Sequence, residues 1–167
     1  MALVVLAVVL LTDQQGADDG FIADPAVRAI GPEATAQVER VVDGDTIVVR
    51  LDGRRERVRY IGVDTPETKA PGTPVQCFGP QASKANADLV EGREVRLTFD
   101  AERRDRYERL LAYVDVGDRF VNGELVRGGY ARTLTIRPND ARAPELARLE
   151  RRARGDRRGL WAACPTK

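Results

Sequence analysis

Val38-Glu39-Arg40-Val41-Val42-Asp43-Gly44-Asp45-Thr46-Ile47-Val48-Val49-Arg50-Leu51-Asp52-Gly53 runs on into Arg54-Arg55-Glu56-Arg57-Val58-Arg59-Tyr60-Ile61-Gly62-Val63. β-Branched residues crowd three runs, Val38–Val42, Thr46–Leu51 and Arg55–Val63. Such side chains pack well on a pleated surface. The separators Asp43-Gly44-Asp45 and Asp52-Gly53 supply the backbone freedom that tight turns need. This stretch predicts a three-stranded antiparallel meander.

Downstream, Pro66, Pro71, Gly72, Pro74 and Gly79 make residues 64–79 a long loop. Pro80 suits the first turn of a helix running to Gly92, with Ala82, Ala85 and Leu89 on its inner face. Val95–Phe99 and Leu110–Val116 read as a fourth and fifth strand. Asn122 is expected to cap a short helix ended by Gly128-Gly129. Pro144 opens a last helix that carries Leu146, Leu149 and Ala153 and stops at Gly155. Five strands with a helix after the third give an α+β order, that of a five-stranded OB-fold Greek-key β-barrel with three α-helices.

Upstream, Ala2–Leu11 is an apolar run too short to span a bilayer and of signal-peptide length. Residues from Asp13 to Glu33 are acidic and rich in Gly, Pro and Ala, as in a linker, and Ala34-Thr35-Ala36 offers a cleavage site. The expectation is a leader and linker over 1–35 and a folded domain over 36–167. The protein is then secreted or extracytoplasmic, or tethered to the membrane by an uncleaved leader. A buried amino-terminal strand is the alternative reading of the apolar run.

The chain has 167 residues and a net charge of +1. Residues 1–35 carry −4, which leaves +5 on the rest, and 24 of the 27 basic residues are Arg. Arginine forks suit phosphate, although the same bias follows from codon usage. There is no His and a single Ser, Ser83, which excludes Ser-His-Asp and Cys-His catalysis and His metal sites. Cys77 and Cys164 lie 87 positions apart, a spacing that fits no zinc or redox motif. They are two unrelated thiols or one disulfide.

Chemistry is thereby left to carboxylates, arginines and an oxygen-seeking metal. Asp43-Gly44-Asp45 alone reads as a plain hairpin turn, and Ile47 stands where an EF-hand needs an oxygen ligand. Arg59 shares a strand with Ile61 and Val63, an awkward setting for a guanidinium without an anion. Asp64 and Glu67 follow at the strand end, and Asp105-Arg106-Tyr107-Glu108-Arg109 leads into the fifth strand. Together these residues provide hard carboxylate oxygens for one Ca²⁺ (Asp45, Asp64), a carboxylate to activate water (Glu67) and two phosphate clamps (Arg59, Arg109). Phosphodiester hydrolysis needs that set.

The blocks Val42-Asp43-Gly44-Asp45-Thr46, Val63-Asp64-Thr65-Pro66-Glu67-Thr68-Lys69, Phe78-Gly79-Pro80, Asp105-Arg106-Tyr107, Arg109 with Leu111-Ala112-Tyr113, and Leu125-Val126-Arg127 occur in order. In these the chain resembles the thermonuclease (staphylococcal nuclease) family, from about Val38 to Trp161. The resemblance implies the OB barrel and Ca²⁺-dependent endonucleolytic cleavage of DNA and RNA, with the 5′-oxygen leaving and 3′-phosphate ends. It makes Asp45 and Asp64 metal ligands beside the Thr65 carbonyl, Glu67 the base, and Arg59 and Arg109 the clamps. Tyr107 would line the nucleotide pocket, with Arg106 beside it as a substrate contact.

Two departures stand out. The family's second pocket tyrosine is absent from Arg132–Arg137, and of the lysine-rich part of the loop only Lys69 remains. The fold implied brings the end of the last helix back against the barrel, so that Cys77 and Cys164 can meet. Export would supply the oxidising compartment, and a Cys77–Cys164 disulfide is the expectation. No protein partner is implied, and a monomer is expected. The rival reading is a non-catalytic barrel that only binds nucleic acid or protein; such modules typically lack some of these five charged residues.

Overall fold

The computed structural model describes residues 31–68 and 74–164. The run Ala2–Leu11, the stretch that follows it to residue 30, and Lys69 lie outside the described residues. In chain order the first elements are β1 (Glu33–Asp43), β2 (Thr46–Leu51), β3 (Arg54–Tyr60), β4 (Gly62–Asp64), α1 (Gly79–Val90) and β5 (Glu94–Thr98). Then come β6 (Leu110–Val116), β7 (Arg119–Phe120), α2 (Val121–Arg127), β8 (Arg132–Leu134), α3 (Ala143–Gly155) and α4 (Leu160–Ala163).

β1, β2 and β3 form the antiparallel meander. β5 pairs antiparallel with the upstream part of β1 and with β6. β6 runs parallel to β3, from Val58 opposite Leu110 to Tyr60 opposite Ala112, which closes five strands into a barrel. Inside lie Ile47, Val49, Val58, Leu97 and Leu110, each buried to 0% exposure. Each such side chain stabilises the fold by about 1.5–3 kcal/mol relative to an exposed one.

Besides the two short added strands β7 and β8, the elements depart from the sequence pattern in four places. β1 starts at Glu33, because Glu33 to Gln37 pair with Thr98 to Glu94 although that segment lacks a β-branched run. Ala34-Thr35-Ala36 therefore lies within a paired strand. The third run breaks into β3 and β4, since Tyr60 and Ile61 are both buried and end the alternation. Gly62 adopts φ +79°, and a Cβ there would meet Leu146 Cδ1, so the break is held by glycine and by α3 packing over it. β4 leaves the barrel to pair with β8, Gly62 opposite Leu134 and Asp64 opposite Arg132.

Asn122 is not a cap. Phe120 occupies that position, and Asn122 is buried inside α2. Its Oδ1 accepts from Val114 N at 3.0 Å and its Nδ2 donates to Ile61 O at 2.8 Å, which ties α2 to the β3–β4 break. The fourth departure is α4, a single turn beyond the three expected helices. Leu160 N donates to Gly129 O at 2.8 Å, and Cys164, just past α4, is disulfide-bonded to Cys77. Among the described residues no helix is long and apolar enough to cross a membrane.

Candidate active site

The β1–β2 turn and the β4 end face each other. Gly44 makes this possible, since a Cβ there would stand 2.6 Å from Thr65 Oγ1. Thr65 N and Oγ1 both donate to Asp45 Oδ2, at 2.9 and 3.1 Å, and Thr46 Oγ1 donates to Asp45 Oδ1 at 3.2 Å. From α1, Asn86 accepts the Tyr60 hydroxyl at 2.9 Å and donates to Asp43 O at 3.0 Å, which fixes the turn against the barrel.

Arg59 has the anionic partners its setting demands. Its Nη2 lies 3.2 Å from Asp45 Oδ2 and 3.3 Å from Asp64 Oδ1, and its Nη1 donates to Tyr60 O and Val63 O at 2.9 and 2.8 Å. Arg109 is gripped by Asp105, through Nε at 2.8 Å and Nη2 at 2.7 Å. Burial pushes the Asp105 carboxyl up, but the Arg109 side chain and the Arg109 and Tyr107 amides outweigh it and hold the pKa below the usual carboxylate range. Glu67 is half-buried on the following loop: its N donates to Gln76 Oε1 at 3.1 Å, and its Oε1 accepts from Thr68 N at 2.8 Å.

These side chains line one polar cleft of about 90 Å³, with Asp43, Asp45, Asp64, Thr65 and Glu67 facing Arg59 and Arg109. Four carboxylates against two guanidiniums leave the cleft negative, so it attracts a cation. Among the described residues no three His, Cys, Asp or Glu side chains gather closely enough to hold a metal by themselves. Two carboxylates with carbonyl and water oxygens still fit a hard cation such as Ca²⁺, and the donor set here is all oxygen. Of the cleft's lining, Asp45, Asp64 and the Thr65 carbonyl could supply such oxygen donors.

Asp43 is the site residue that the sequence pattern passed over. Burial and the neighbouring Asp45 charge raise its carboxyl to about 6. An unfolded Asp titrates near 3.9, about two units lower. Asp43 thus favours folding fully below about pH 4, and that contribution fades as the pH rises through about 6. Metal-free protein is expected to lose on the order of 1–2 kcal/mol from this group across that window, solvent screening included. Urea denaturation in EGTA at about pH 4.5 and pH 7 checks it: Asp43→Asn should lose less stability than wild type over the interval, and parallel losses would exclude the effect.

Beside Arg59 and Arg109 a groove of about 420 Å³ continues past Tyr107, Leu134 and Ile136. Tyr107 is 61% exposed, and the guanidinium carbons of Arg106 and Arg109 lie 4.7 and 5.4 Å from its ring centre. Leu134 and Ile136, 39% and 64% exposed, form an aliphatic wall in the segment where a second tyrosine is missing. The structure therefore brings together Asp45, Asp64, Thr65, Glu67, Arg59 and Arg109, with Arg106 and Tyr107 at the adjoining groove.

The closed five-stranded barrel, with a cleft of carboxylates and guanidiniums at one end of its strands, belongs to the class of OB-type barrels. Residues 57–163 match the family described as staphylococcal nuclease homologue. The chain is 36% identical over 162 residues to the thermonuclease of Staphylococcus hyicus, across 97% of this chain and 95% of that protein. It is 44% identical over 124 residues to the thermonuclease of Staphylococcus intermedius, 74% of each. It is 42% identical over 127 residues to endonuclease YncB of Bacillus subtilis (strain 168), across 75% of this chain and 60% of that protein. The chain belongs to the staphylococcal nuclease homologue family.

Proposed function

We propose that the protein is a calcium-dependent endonuclease that hydrolyses phosphodiester bonds of DNA and RNA and leaves 3′-phosphate ends. The observation that carries this reading is the single cleft in which oxygen donors, Glu67, Arg59 and Arg109 converge. The relatives named thermonuclease and endonuclease support the nuclease class. Ca²⁺, when bound at Asp45, Asp64 and Thr65, supplies a counter-charge and polarises a phosphoryl oxygen.

The chain's own residues do the rest. Glu67 accepts the proton of a water that attacks phosphorus; the bond to the 5′-oxygen breaks, and the 5′-alkoxide takes a proton from solvent water. Arg109, oriented by Asp105, offers its remaining donors to the phosphoryl oxygens, which gather negative charge in the transition state. Arg59 takes the other side of the same group. Tyr107 stacks one base, with Arg106 at its edge. Export is part of the proposal, and the Cys77–Cys164 disulfide supports it because such bonds persist in oxidising compartments.

Plasmid DNA and a structured RNA incubated with millimolar Ca²⁺ are expected to be cut internally, and EGTA is expected to stop both. Full activity in EGTA would sink the calcium assignment. Strand binding without any cleavage in Ca²⁺ would leave only the binding-module reading.

A further inference from the structure

The catalytic cleft has a second neighbour, which shares no lining residue with the groove that holds Tyr107. A groove of about 590 Å³ shares Asp64, Thr65 and Pro66 with the cleft and runs between Arg132, Arg154, Trp161 and the Cys77–Cys164 disulfide. The groove that holds Tyr107 shares instead Arg59 and Arg109. The cleft thus adjoins two grooves, each through different lining residues. A strand whose scissile phosphate sits in the cleft must leave it in two directions.

We propose that the Arg132–Arg154–Trp161 groove is a second nucleic-acid subsite, which holds backbone phosphates on the side of the scissile bond opposite the Tyr107 nucleotide. This rests on the nuclease reading and extends it. Arg132 projects from β8, where it pairs with Asp64, so its backbone is tied to the catalytic strand end. Arg154 comes from the last turn of α3. Their guanidinium carbons lie 4.6 and 4.1 Å from the centre of the Trp161 ring. Contact with a ring occupies the face of a guanidinium and leaves its N–H edges for other acceptors.

Those edges are little used. Arg132 meets no carboxylate among the described residues. Arg154 reaches Glu150 Oε1 at 3.3 Å, and Glu150 is itself engaged by the amide and hydroxyl of Thr133 at 3.2 and 2.9 Å. The Arg154 side chain remains 54% exposed. The Trp161 ring, in contact with both guanidinium groups, serves as a platform for the two cations. Two outward guanidiniums on a rigid base, beside the carboxylates that define the reacting end, suit two successive phosphates of a single strand.

Trp161 is the only tryptophan of the chain, so its fluorescence reports this groove in the unmodified protein. In EGTA, which keeps substrate intact, a single-stranded oligonucleotide of about twelve residues is expected to change Trp161 emission saturably. A nucleoside 3′,5′-bisphosphate, whose single base is expected at Tyr107 and which is too short to reach the second groove as well, should leave the emission unchanged. In Arg132→Gln/Arg154→Gln, affinity for the oligonucleotide should fall roughly tenfold, and the slope of log K against log salt should flatten by about 1.4, near 0.7 per lost phosphate contact. The Lys pair at both positions should keep the salt slope. With Ca²⁺, the Gln pair should raise KM for long strands and leave kcat intact.

An oligonucleotide that leaves Trp161 emission unmoved overturns the proposal, and this needs no variant. So does a folded Gln pair with wild-type affinity and salt slope. Loss of cleavage in every form of the protein, with the binding changes intact, would instead sink the nuclease reading.

Discussion

Glu67→Gln is expected to lower kcat by roughly 10²–10⁴, the usual loss for a general base, and to leave the melting temperature nearly unchanged. The substitution is isosteric. The backbone bonds between Glu67 and Gln76 survive it, and the amide oxygen can still accept from Thr68 N. What disappears is the capacity to take a proton. Initial rates on an oligonucleotide in Ca²⁺, paired with a thermal melt, check the separation, and near wild-type turnover would remove Glu67 from its role. Arg109→Ala should cost at least ~10² in rate through lost charge stabilisation. Arg59→Ala should cost as much and also weaken the fold, because it strips Asp45, almost fully buried, of its cation and two carbonyls of their donor.

Reduction of the Cys77–Cys164 disulfide is the second large effect. The bond closes a loop 87 residues in separation, which in the chain-entropy model stabilises by about 4–5 kcal/mol as an upper figure. The melting temperature should then fall by on the order of 10 °C. At room temperature kcat should stay mostly intact, since no cysteine lines the polar cleft with Asp45, Glu67, Arg59 and Arg109. KM for long strands is free to rise, because the disulfide borders the Arg132–Arg154–Trp161 groove. Calorimetry with and without reductant measures the shift. An unchanged melt in protein whose thiols are shown to be free would refute the stabilising role.

Much of this was written locally. The β-branched runs and Asp-Gly turns of β1 to β3, and Pro80 and Pro144 in the first turns of α1 and α3, are signals within a few residues of what they specify. Asp43 apart, the carboxylates and arginines of the cleft were visible for the same reason: each stands at a strand end or a few residues beyond one. Apart from the disulfide, which the resemblance implied, contacts that span the chain were not visible. An Asn near a helix start ordinarily reads as a cap, yet Asn122 is drawn inward by Ile61, 61 positions away. Asn86 in α1 holds the turn at Asp43 from 43 positions away. Periodicity also missed the break after Tyr60, which depends on Leu146 lying over Gly62. Asp43 looked like turn chemistry because burial, which changes its titration, is a property of the folded state.

The parallel seam between β3 and β6 has a consequence beyond the site. It gives every barrel strand a partner on both sides, so that among the described residues only β7 and the β4–β8 pair end a sheet. Those strands have two and three residues. Long unpaired edges are what let one chain recruit another by strand addition, the first step toward aggregates and fibres. Among the described residues, a barrel closed in this way leaves only short stretches of edge, such as residues 54–57 of β3, for its own copies to pair with.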